Sequence, residues 1–209
     1  HRNKSLIIVP LKTKGVTVAR KLDKMALRCS DTAQLFFDDV RVPIRNLIGE
    51  ENMGFTYQMR QFQEERMYVA ARALRGCEMA IEDTIEYTSQ RKVFGETLLD
   101  KQVVYHKMAE LQTLVESARS LLYRSIEEYI NGNDVTKLAS MTKYLVGTLC
   151  NKVPSECLQY WGGQGFMSEN WISRGYRDLR LSSVGGGANE IMLEIVAKQM
   201  GIFPGKRKK

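Results

Sequence analysis

Residues 102–130 read QVVYHKMAELQTLVESARSLLYRSIEEYI, and the spacing of their apolar side chains decides the fold. These side chains recur at steps of three and four residues, which is the repeat of one face of an α-helix. The sequence therefore predicts one long helix with a single buried stripe. The stripe consists of Val104, Met108, Leu111, Val115, Ala118, Leu122, Ile126 and Tyr129.

Similar patterns predict helices on both sides of this stretch. One helix runs from residue 51 to about residue 91 and is ended by KVFGE, in which Gly95 is the predicted C-cap. Others run over residues 136–161, 169–179 and 189–201. The helix over residues 136–161 is predicted to place three large apolar residues on one side, namely Leu138, Met141 and Leu145.

The first part of the chain has the composition of β-strands. Branched and aromatic residues dominate SLIIVPL at residues 5–11, VTVAR at 16–20 and AQLFFDDVRVP at 33–43. About 45 residues hold too few strands to close a barrel or a sandwich alone, so we expect preceding sequence or a partner chain to complete them. The absence of an initiator methionine likewise leads us to expect a fragment of a longer protein.

The predicted fold class is therefore mainly α. A four-helix bundle at residues 46–203 follows a partial β-domain at residues 1–45, and a basic tail occupies residues 204–209.

Charge and composition argue against several functions. The formal net charge is +7, but residues 206–209 carry four of these charges, and 7 − 4 leaves +3 for the rest. Basic and acidic residues alternate as on solvated helices, so nucleic acid is not an expected partner. No apolar run approaches the roughly 18 residues of a membrane span. Four cysteines without a CxxC pair and only two histidines make a metal unexpected and indicate a reducing compartment.

Two glycine-rich turns, at residues 162–165 and 185–187, each lead toward a predicted helix. Free backbone N–H groups and the helix dipole at such a place favour an anion. Neither turn matches a P-loop or a dinucleotide fingerprint, so glycines that merely permit tight turns remain an alternative.

In order along the chain, these segments resemble the C-terminal half of the acyl-CoA dehydrogenase family. The stretch DKMALRCSDTAQLFFDDVRVPIRNLIGEENMGF at residues 23–55 resembles the family's exit from its middle β-domain. RKVFG at 91–95 resembles its Arg-x-x-Phe-Gly turn, and QYWGGQG at 159–165 its Gln-x-x-Gly-Gly-x-Gly segment. YRDLR at 176–180 resembles its approach to the catalytic loop. The match covers nearly the whole chain.

The resemblance implies a tetramer with FAD bound between subunits, in which these two motifs reach the cofactor diphosphate. An arginine offers a charge-assisted fork to phosphate, and glycine lets backbone N–H groups approach it. The family's N-terminal half supplies most contacts to the flavin ring, so this chain alone is expected to bind FAD poorly and to be inactive. The implied cofactor-binding residues are Arg91, Phe94, Gln102, Gln159, Tyr160, Trp161, Gly162, Gly163 and Glu190.

The family's reaction removes an α proton from an acyl-CoA thioester while a hydride leaves the β carbon for the flavin. In many members the base is a glutamate in a Tyr-Glu-Gly-Thr loop before the last helix. Aligning that loop on this chain puts Gly185 in place of the tyrosine, Gly186 in place of the glutamate and Ala188 in place of the threonine. Glycine cannot abstract a proton, so the base must be elsewhere.

A branch of the family that includes the long-chain enzymes carries its base on the first long helix, immediately before an arginine. The corresponding residues are Glu65, as catalytic base, and Arg66, which orients the base or the substrate. Gly186 and Gly187 are implied to contact the substrate, and the GGxNEIM ending is also typical of the long-chain type. The expected activity is FAD-dependent dehydrogenation of an acyl-CoA, with a longer straight chain favoured. The alternative is a non-catalytic homologue that acts as an oligomerising helical module.

The resemblance also implies partners and a location. Electron-transferring flavoprotein is the expected electron acceptor. The mitochondrial matrix is the expected compartment, or the cytoplasm in a bacterium. No targeting segment is visible in the sequence.

Overall fold

The computed structural model describes residues 3–204. Of the predicted basic tail at residues 204–209, residues 205–209 lie outside the described range. The chain divides into two compact units between Phe62 and Gln63. The domain boundaries predicted at residues 45 and 203 were drawn from sequence composition, and they remain predictions.

Four short strands lie in the first unit. They are β1 (Leu6–Ile7), β2 (Val16–Lys21), β3 (Ala33–Phe37) and β4 (Leu47–Ile48). β1 pairs with β4 and β2 with β3, both antiparallel, and the register of the second pair shifts between Val18 and Arg20. β4 was not predicted, because it follows Pro43, where helical spacing was expected to begin.

The β2–β3 hairpin exposes nearly all of its side chains within this chain. Val18, Phe36 and Phe37 are all exposed. An isolated two-stranded hairpin with apolar side chains in water is marginally stable. The hairpin therefore has the properties expected of one edge of a larger β-domain.

Helices make up most of the rest of the chain, as the sequence predicted. The helices and the intervening strands are α1 (Gly54–Gln90), β5 (Lys92–Val93), β6 (Glu96–Thr97), α2 (Gln102–Ile130), α3 (Thr136–Trp161), α4 (Trp171–Leu179) and α5 (Asn189–Gln199). None of the helices within residues 3–204 has the length and apolarity needed to cross a bilayer.

The buried stripe predicted on α2 is confirmed for all but its last two members. Val104, Met108, Leu111, Val115, Ala118 and Leu122 are buried, and Ile126 packs partly buried against the same core. Tyr129 is exposed, and its hydroxyl donates a hydrogen bond to Glu64 on α1. The phenol reaches a polar partner at the edge of the core, which an apolar periodicity cannot anticipate.

The predicted bounds of α3 are confirmed, and the three large apolar residues predicted on one of its sides are not its most buried residues. Leu138, Met141 and Leu145 are only half-buried. The fully buried positions are mostly small or polar, and include Ala139, Ser140, Thr142, Lys143, Val146, Gly147, Cys150, Val153 and Cys157. Because α3 packs against α2, α4 and α5, small side chains face its neighbours on several sides.

The predicted C-cap at Gly95 is also corrected. α1 ends at Gln90, and β5 and β6 form a tight hairpin whose two-residue turn is Phe94–Gly95. Both turn residues have positive φ, 50° at Phe94 and 86° at Gly95. Such a turn matches the right-handed twist of two paired strands, so the chain reverses here after the helix has ended.

Candidate active site

An open cleft of about 510 Å³ lies where the end of α1 meets the end of α3. Arg91 from the end of α1 lines it together with the motif at residues 159–163. These are residues that the family resemblance implied for a cofactor diphosphate, and the fold brings them to one surface. Tyr87, Leu98 and Gln164 complete the lining, and the sequence analysis had not singled them out.

An aromatic stack holds the two walls of the cleft together. The rings of Tyr87 and Trp161 are parallel within 7°, with centroids 4.2 Å apart. Trp161 Nε1 donates to Thr84 Oγ1 at 3.0 Å, and Tyr160 donates its hydroxyl proton to the carbonyl of Val103 at 3.1 Å. Rings fixed in this way present the adjoining glycine backbone in a set position.

Two glycines give this cleft an open backbone. A β-carbon added at Gly162 or Gly163 would meet no heavy atom within 4 Å, and Gly162 has a φ of 54°. Gly162 caps the C-terminus of α3, and a 3-10 segment, Gly162–Phe166, follows. The predicted contribution of a helix N-terminus is therefore wrong here, because the C-terminal end of α3 carries the negative pole.

Arg91 supplies the positive charge of the cleft instead. Its side chain is exposed, and no carboxylate within residues 3–204 forms an ion pair with its guanidinium. The N–H of Gly162 is used within the chain, since it donates to the carbonyl of Gln159. An exposed arginine beside glycines that leave room for close approach is suited to a phosphate or a diphosphate. The residues present therefore fit such a group.

Three of the implied cofactor residues do not line this cleft. Phe94 sits at the tip of the β5–β6 turn with its side chain 100% exposed. Gln102 begins α2 and directly precedes Val103, whose carbonyl binds Tyr160, so it lies at the rim. Glu190 lies in the first turn of α5, which belongs to a different part of the bundle.

The two adjacent glutamates of α1 differ in their surroundings. Glu64 is exposed and accepts the hydrogen bond from Tyr129, so it ties α1 to α2. This bond, and then partial burial, raises the pKa of Tyr129. Glu65 is half-buried and is followed by Arg66, which is 6% exposed. Burial lowers the pKa of Arg66, and the charge of Glu65 opposes that shift.

The triglycine turn packs against the same helix. A β-carbon added at Gly186 would come 3.5 Å from Val69 Cγ2. Because Val69 follows Glu65 by four residues, the two lie on one face of α1. The turn that carries no carboxylate therefore lies one helical turn from Glu65. It leads through Ala188 directly into α5, as predicted.

A buried cation joins α3 to this turn. Lys143 is 1% exposed, and its ammonium donates a hydrogen bond to the carbonyl oxygen of Gly187. On the same helix, Ser140 Oγ lies 3.5 Å from Arg66 Nη1. Lys143 was not predicted as a site residue from the sequence. The signal in the sequence is helical spacing, because Lys143 follows Ala139 by four residues and precedes Val146 by three. These three residues share the buried side of α3.

The cleft and the triglycine turn are separate sites within one chain. Lys143 touches the turn and Gln159 lines the cleft, sixteen residues later on α3. At 1.5 Å per residue this places them about 24 Å apart along the helix. Among residues 3–204, no group of three or more histidine, cysteine, aspartate or glutamate side chains could hold a metal ion.

Comparison with known proteins decides what these sites belong to. Residues 52–201 match the model of the acyl-CoA dehydrogenase C-terminal domain. The chain belongs to the acyl-CoA dehydrogenase family. The resemblance inferred from the motifs is thereby confirmed.

Several members of the family are similar over nearly the whole chain. The mitochondrial long-chain specific acyl-CoA dehydrogenase of Mus musculus is 42% identical over 196 residues, which are 94% of this chain and 46% of that protein. Cyclohexane-1-carbonyl-CoA dehydrogenase of Geobacter metallireducens is 34% identical, with 94% of this chain and 52% of the relative covered. The chain thus spans about half the length of these relatives.

Solved structures confirm the fold. The acyl-CoA dehydrogenase of Geobacillus kaustophilus superposes with a TM-score of 0.91 at 39% identity, covering 94% of this chain and 52% of that one. Butyryl-CoA dehydrogenase of Megasphaera elsdenii gives a TM-score of 0.91 at 33% identity, covering 95% and 52%. The mainly helical fold class predicted from the sequence is that of this domain.

Proposed function

We propose that this chain is the C-terminal part of an FAD-dependent acyl-CoA dehydrogenase whose catalytic base is Glu65. The observation that carries the proposal is the packing of the carboxylate-free turn at Gly186 against Val69, one helical turn from Glu65. A base on α1 and a base on the turn would both lie at this place. Since the turn has none, the helix supplies it.

The proposed chemistry is proton abstraction next to a thioester. The Glu65 carboxylate takes the α proton of the acyl-CoA as the α–β double bond forms. FAD, when bound, accepts the hydride that leaves the β carbon. Arg66, buried beside Glu65, orients the carboxylate or the CoA part of the substrate. Positioned base catalysis contributes about a hundred- to ten-thousandfold to such a rate.

The triglycine turn contributes backbone and space. Gly186 and Gly187 have φ values of 69° and 110°, which side-chain-bearing residues rarely adopt. Without side chains on these residues, the turn can approach an acyl thioester closely. Glu190, at the start of α5, is proposed as a contact on the flavin side.

The cleft would hold the diphosphate of FAD. Arg91 would bind phosphate oxygens, and the backbone of Gly162 and Gly163 would approach them without a Cβ in the way. The separation of about 24 Å along α3 supports a cofactor that reaches this cleft from a neighbouring subunit. Phe94 and Gln102, at the rim, would contact that cofactor or its subunit.

Exposed apolar side chains near the cleft support an oligomer. Phe94, Val103, Phe166 and Met167 are exposed on segments that border it. Clusters of this kind mark protein interfaces more often than bare surface. We propose a homotetramer, in agreement with the family resemblance.

Substrate, electron acceptor and compartment are proposed from relatives. The Mus musculus relative is named as a mitochondrial long-chain specific enzyme, which favours a long straight-chain acyl-CoA and the mitochondrial matrix. Bacterial relatives make the cytoplasm the alternative. A relative from Acetobacterium woodii, 31% identical, is a subunit of a caffeyl-CoA reductase–Etf complex, which supports electron-transferring flavoprotein as acceptor.

The test is an anaerobic titration of the full-length protein with short, medium, long and branched acyl-CoAs. We expect the bound flavin to lose its absorbance, most completely and at the lowest concentration with long straight chains. A protein that retains FAD but is bleached by none of them would instead support the non-catalytic helical module. Bleaching that is strongest with branched or short chains would overturn only the chain-length assignment.

A further inference from the structure

Lys143 is one of the largest fully buried side chains in the described part of the molecule. Removing an ammonium group from water is costly, and a methionine would fill similar space without that cost. A buried lysine therefore needs a partner that only a cationic donor can satisfy. The proposed mechanism assigns it no role.

The partner is a backbone carbonyl on the triglycine turn. The ammonium donates to Gly187 O, and no carboxylate within residues 3–204 forms an ion pair with Lys143. Three titratable side chains act electrostatically on the Lys143 ammonium, namely Cys150, Arg66 and Glu190. A hydrogen bond from a charged donor in a water-poor place is stronger than one between neutral groups.

The turn is the kind of segment that needs such a bond. Three consecutive glycines lose more conformational freedom on folding than any other tripeptide, and two of them have positive φ. Without side chains, residues 185–187 cannot anchor themselves by packing. Lys143 holds their last carbonyl from α3, while Val69 lies against Gly186 from α1.

We propose that Lys143 is a positioning residue that fixes the triglycine turn against α1 beside Glu65. This inference rests on the proposed function, in which the thioester lies between the turn and the base. A turn free to move away would leave the α carbon poorly aligned with the Glu65 carboxylate. A displacement of about 1 Å in such an arrangement can cost a hundredfold in rate.

The test compares two variants of full-length protein. Lys143→Met removes the ammonium but keeps the straight side chain. Thr142→Val is the matched control, because Thr142 is the neighbouring buried polar residue of α3 and bonds Ser125 on α2 at 2.9 Å, away from the turn. Lys143→Arg, which keeps a cationic donor, tests for rescue.

Two measurements are made on each protein. Stopped-flow reduction of the bound flavin gives the rate at saturating acyl-CoA and the apparent dissociation constant of the substrate. Hydrogen exchange followed by mass spectrometry gives the exchange rate of amides in residues 184–192. For Lys143→Met we expect the saturated rate to fall by about ten- to hundredfold and turn exchange to rise by roughly tenfold. Thr142→Val should change neither, and Lys143→Arg should recover part of the rate.

The outcomes separate the two proposals. Wild-type exchange at the turn in Lys143→Met would overturn the role of Lys143, as would an equal loss of saturated rate in Thr142→Val. A wild-type protein whose flavin is reduced by no acyl-CoA would refute the proposed function alone. In that case the exchange measurement still decides whether Lys143 fixes the turn.

Discussion

Gly186 lies against Val69, so that a β-carbon placed on the glycine would come 3.5 Å from Val69 Cγ2. This contact joins the turn before α5 to the face of α1 that carries Glu65. A carboxylate at position 186 of the turn and the Glu65 carboxylate of α1 would therefore lie in the same region. The first prediction follows from it.

Glu65→Gln should slow flavin reduction by acyl-CoA about a hundred- to ten-thousandfold, because an amide cannot take the α proton. The rate at saturating substrate in anaerobic stopped-flow measures this. Glu64→Gln is the control, since Glu64 binds Tyr129 and ties α1 to α2. It should leave the rate unchanged. An unimpaired rate in Glu65→Gln would rule Glu65 out as the base.

Arg91→Ala should weaken FAD binding by about ten- to hundredfold, the value of a charge-assisted hydrogen bond to phosphate. The flavin content of purified protein and the dissociation constant for FAD measure it. Lys92→Ala removes a neighbouring exposed charge that does not line the cleft, and should retain FAD. Equal losses in both variants would indicate a general charge effect and not a site at Arg91.

Phe94→Asn should stabilise the hairpin while weakening FAD binding or subunit assembly. Phe94 adopts a φ of 50° and buries no side-chain area within this chain, so no packing within the chain offsets its backbone strain. Asparagine tolerates this conformation better, and the gain should be up to about 1 kcal/mol. Urea unfolding measures the stability, the flavin content of purified protein measures FAD binding, and size-exclusion chromatography measures assembly. Phe166→Asn, at an exposed site without positive φ, should give no gain in stability.

Of the four cysteines in this chain, only Cys29 should react with thiol reagents in the native protein. Cys29 is exposed, whereas Cys77, Cys150 and Cys157 are buried and free. A bond with Cys150, and then burial, raises the pKa of Cys77, and burial raises the pKa of Cys157 to about 11. Since the thiolate is the reactive form, Cys77 and Cys157 should react only after unfolding in urea. The bond with Cys77 lowers the pKa of Cys150, so Cys150 is protected by its burial alone. Mass spectrometry of the labelled peptides identifies the reactive thiols. Cys29→Ser should abolish labelling within this part of the protein, and native labelling of Cys77, Cys150 or Cys157 would contradict their burial.

The stability contributed at Lys143 should depend on pH. Burial lowers the pKa of Lys143 below its ordinary 10.5; Arg66 acts in the same direction, whereas Cys150 and Glu190 oppose the shift. Between the folded and unfolded pKa the unfolded chain binds more protons, so stability rises with pH in that window. The free energy of unfolding of the wild type, relative to Lys143→Met, should therefore increase as the pH approaches 10.5. Chemical denaturation at several pH values measures it. Parallel curves for the two proteins would contradict the shift, and Thr142→Val should follow the wild type.

Much of the architecture could be read from the sequence. The stripe on α2 repeats at helical spacing, and the fold buries it from Val104 to Leu122 as expected. The bounds of α3 were also predicted, and the motifs at residues 91–95 and 159–163 led to the correct family. Periodicity and motif spacing are local properties, so they can be read without knowing which segments meet.

The reversal after α1 and the interior of α3 could not be read in this way. Phe94 and Gly95 form a hairpin turn because β5 and β6 pair with each other, whereas the residue types at these positions also suit a helix C-cap. On α3, contact with several helices buries Ala139, Ser140 and Lys143 and leaves Leu138 half-buried. Burial depends on what surrounds a helix, and a single helix's pattern records only its most apolar face.

The sequence by itself determined the helices, the family and the absence of a carboxylate from the turn before α5. The tertiary structure alone decided that this turn lies against Val69, that Tyr129 engages Glu64, and that Lys143 reaches Gly187 from the interior of α3. These relationships join residues more than forty positions apart along the chain. They exist because packed helices bring distant segments to within bonding distance, and residue spacing along one helix carries no information about that arrangement.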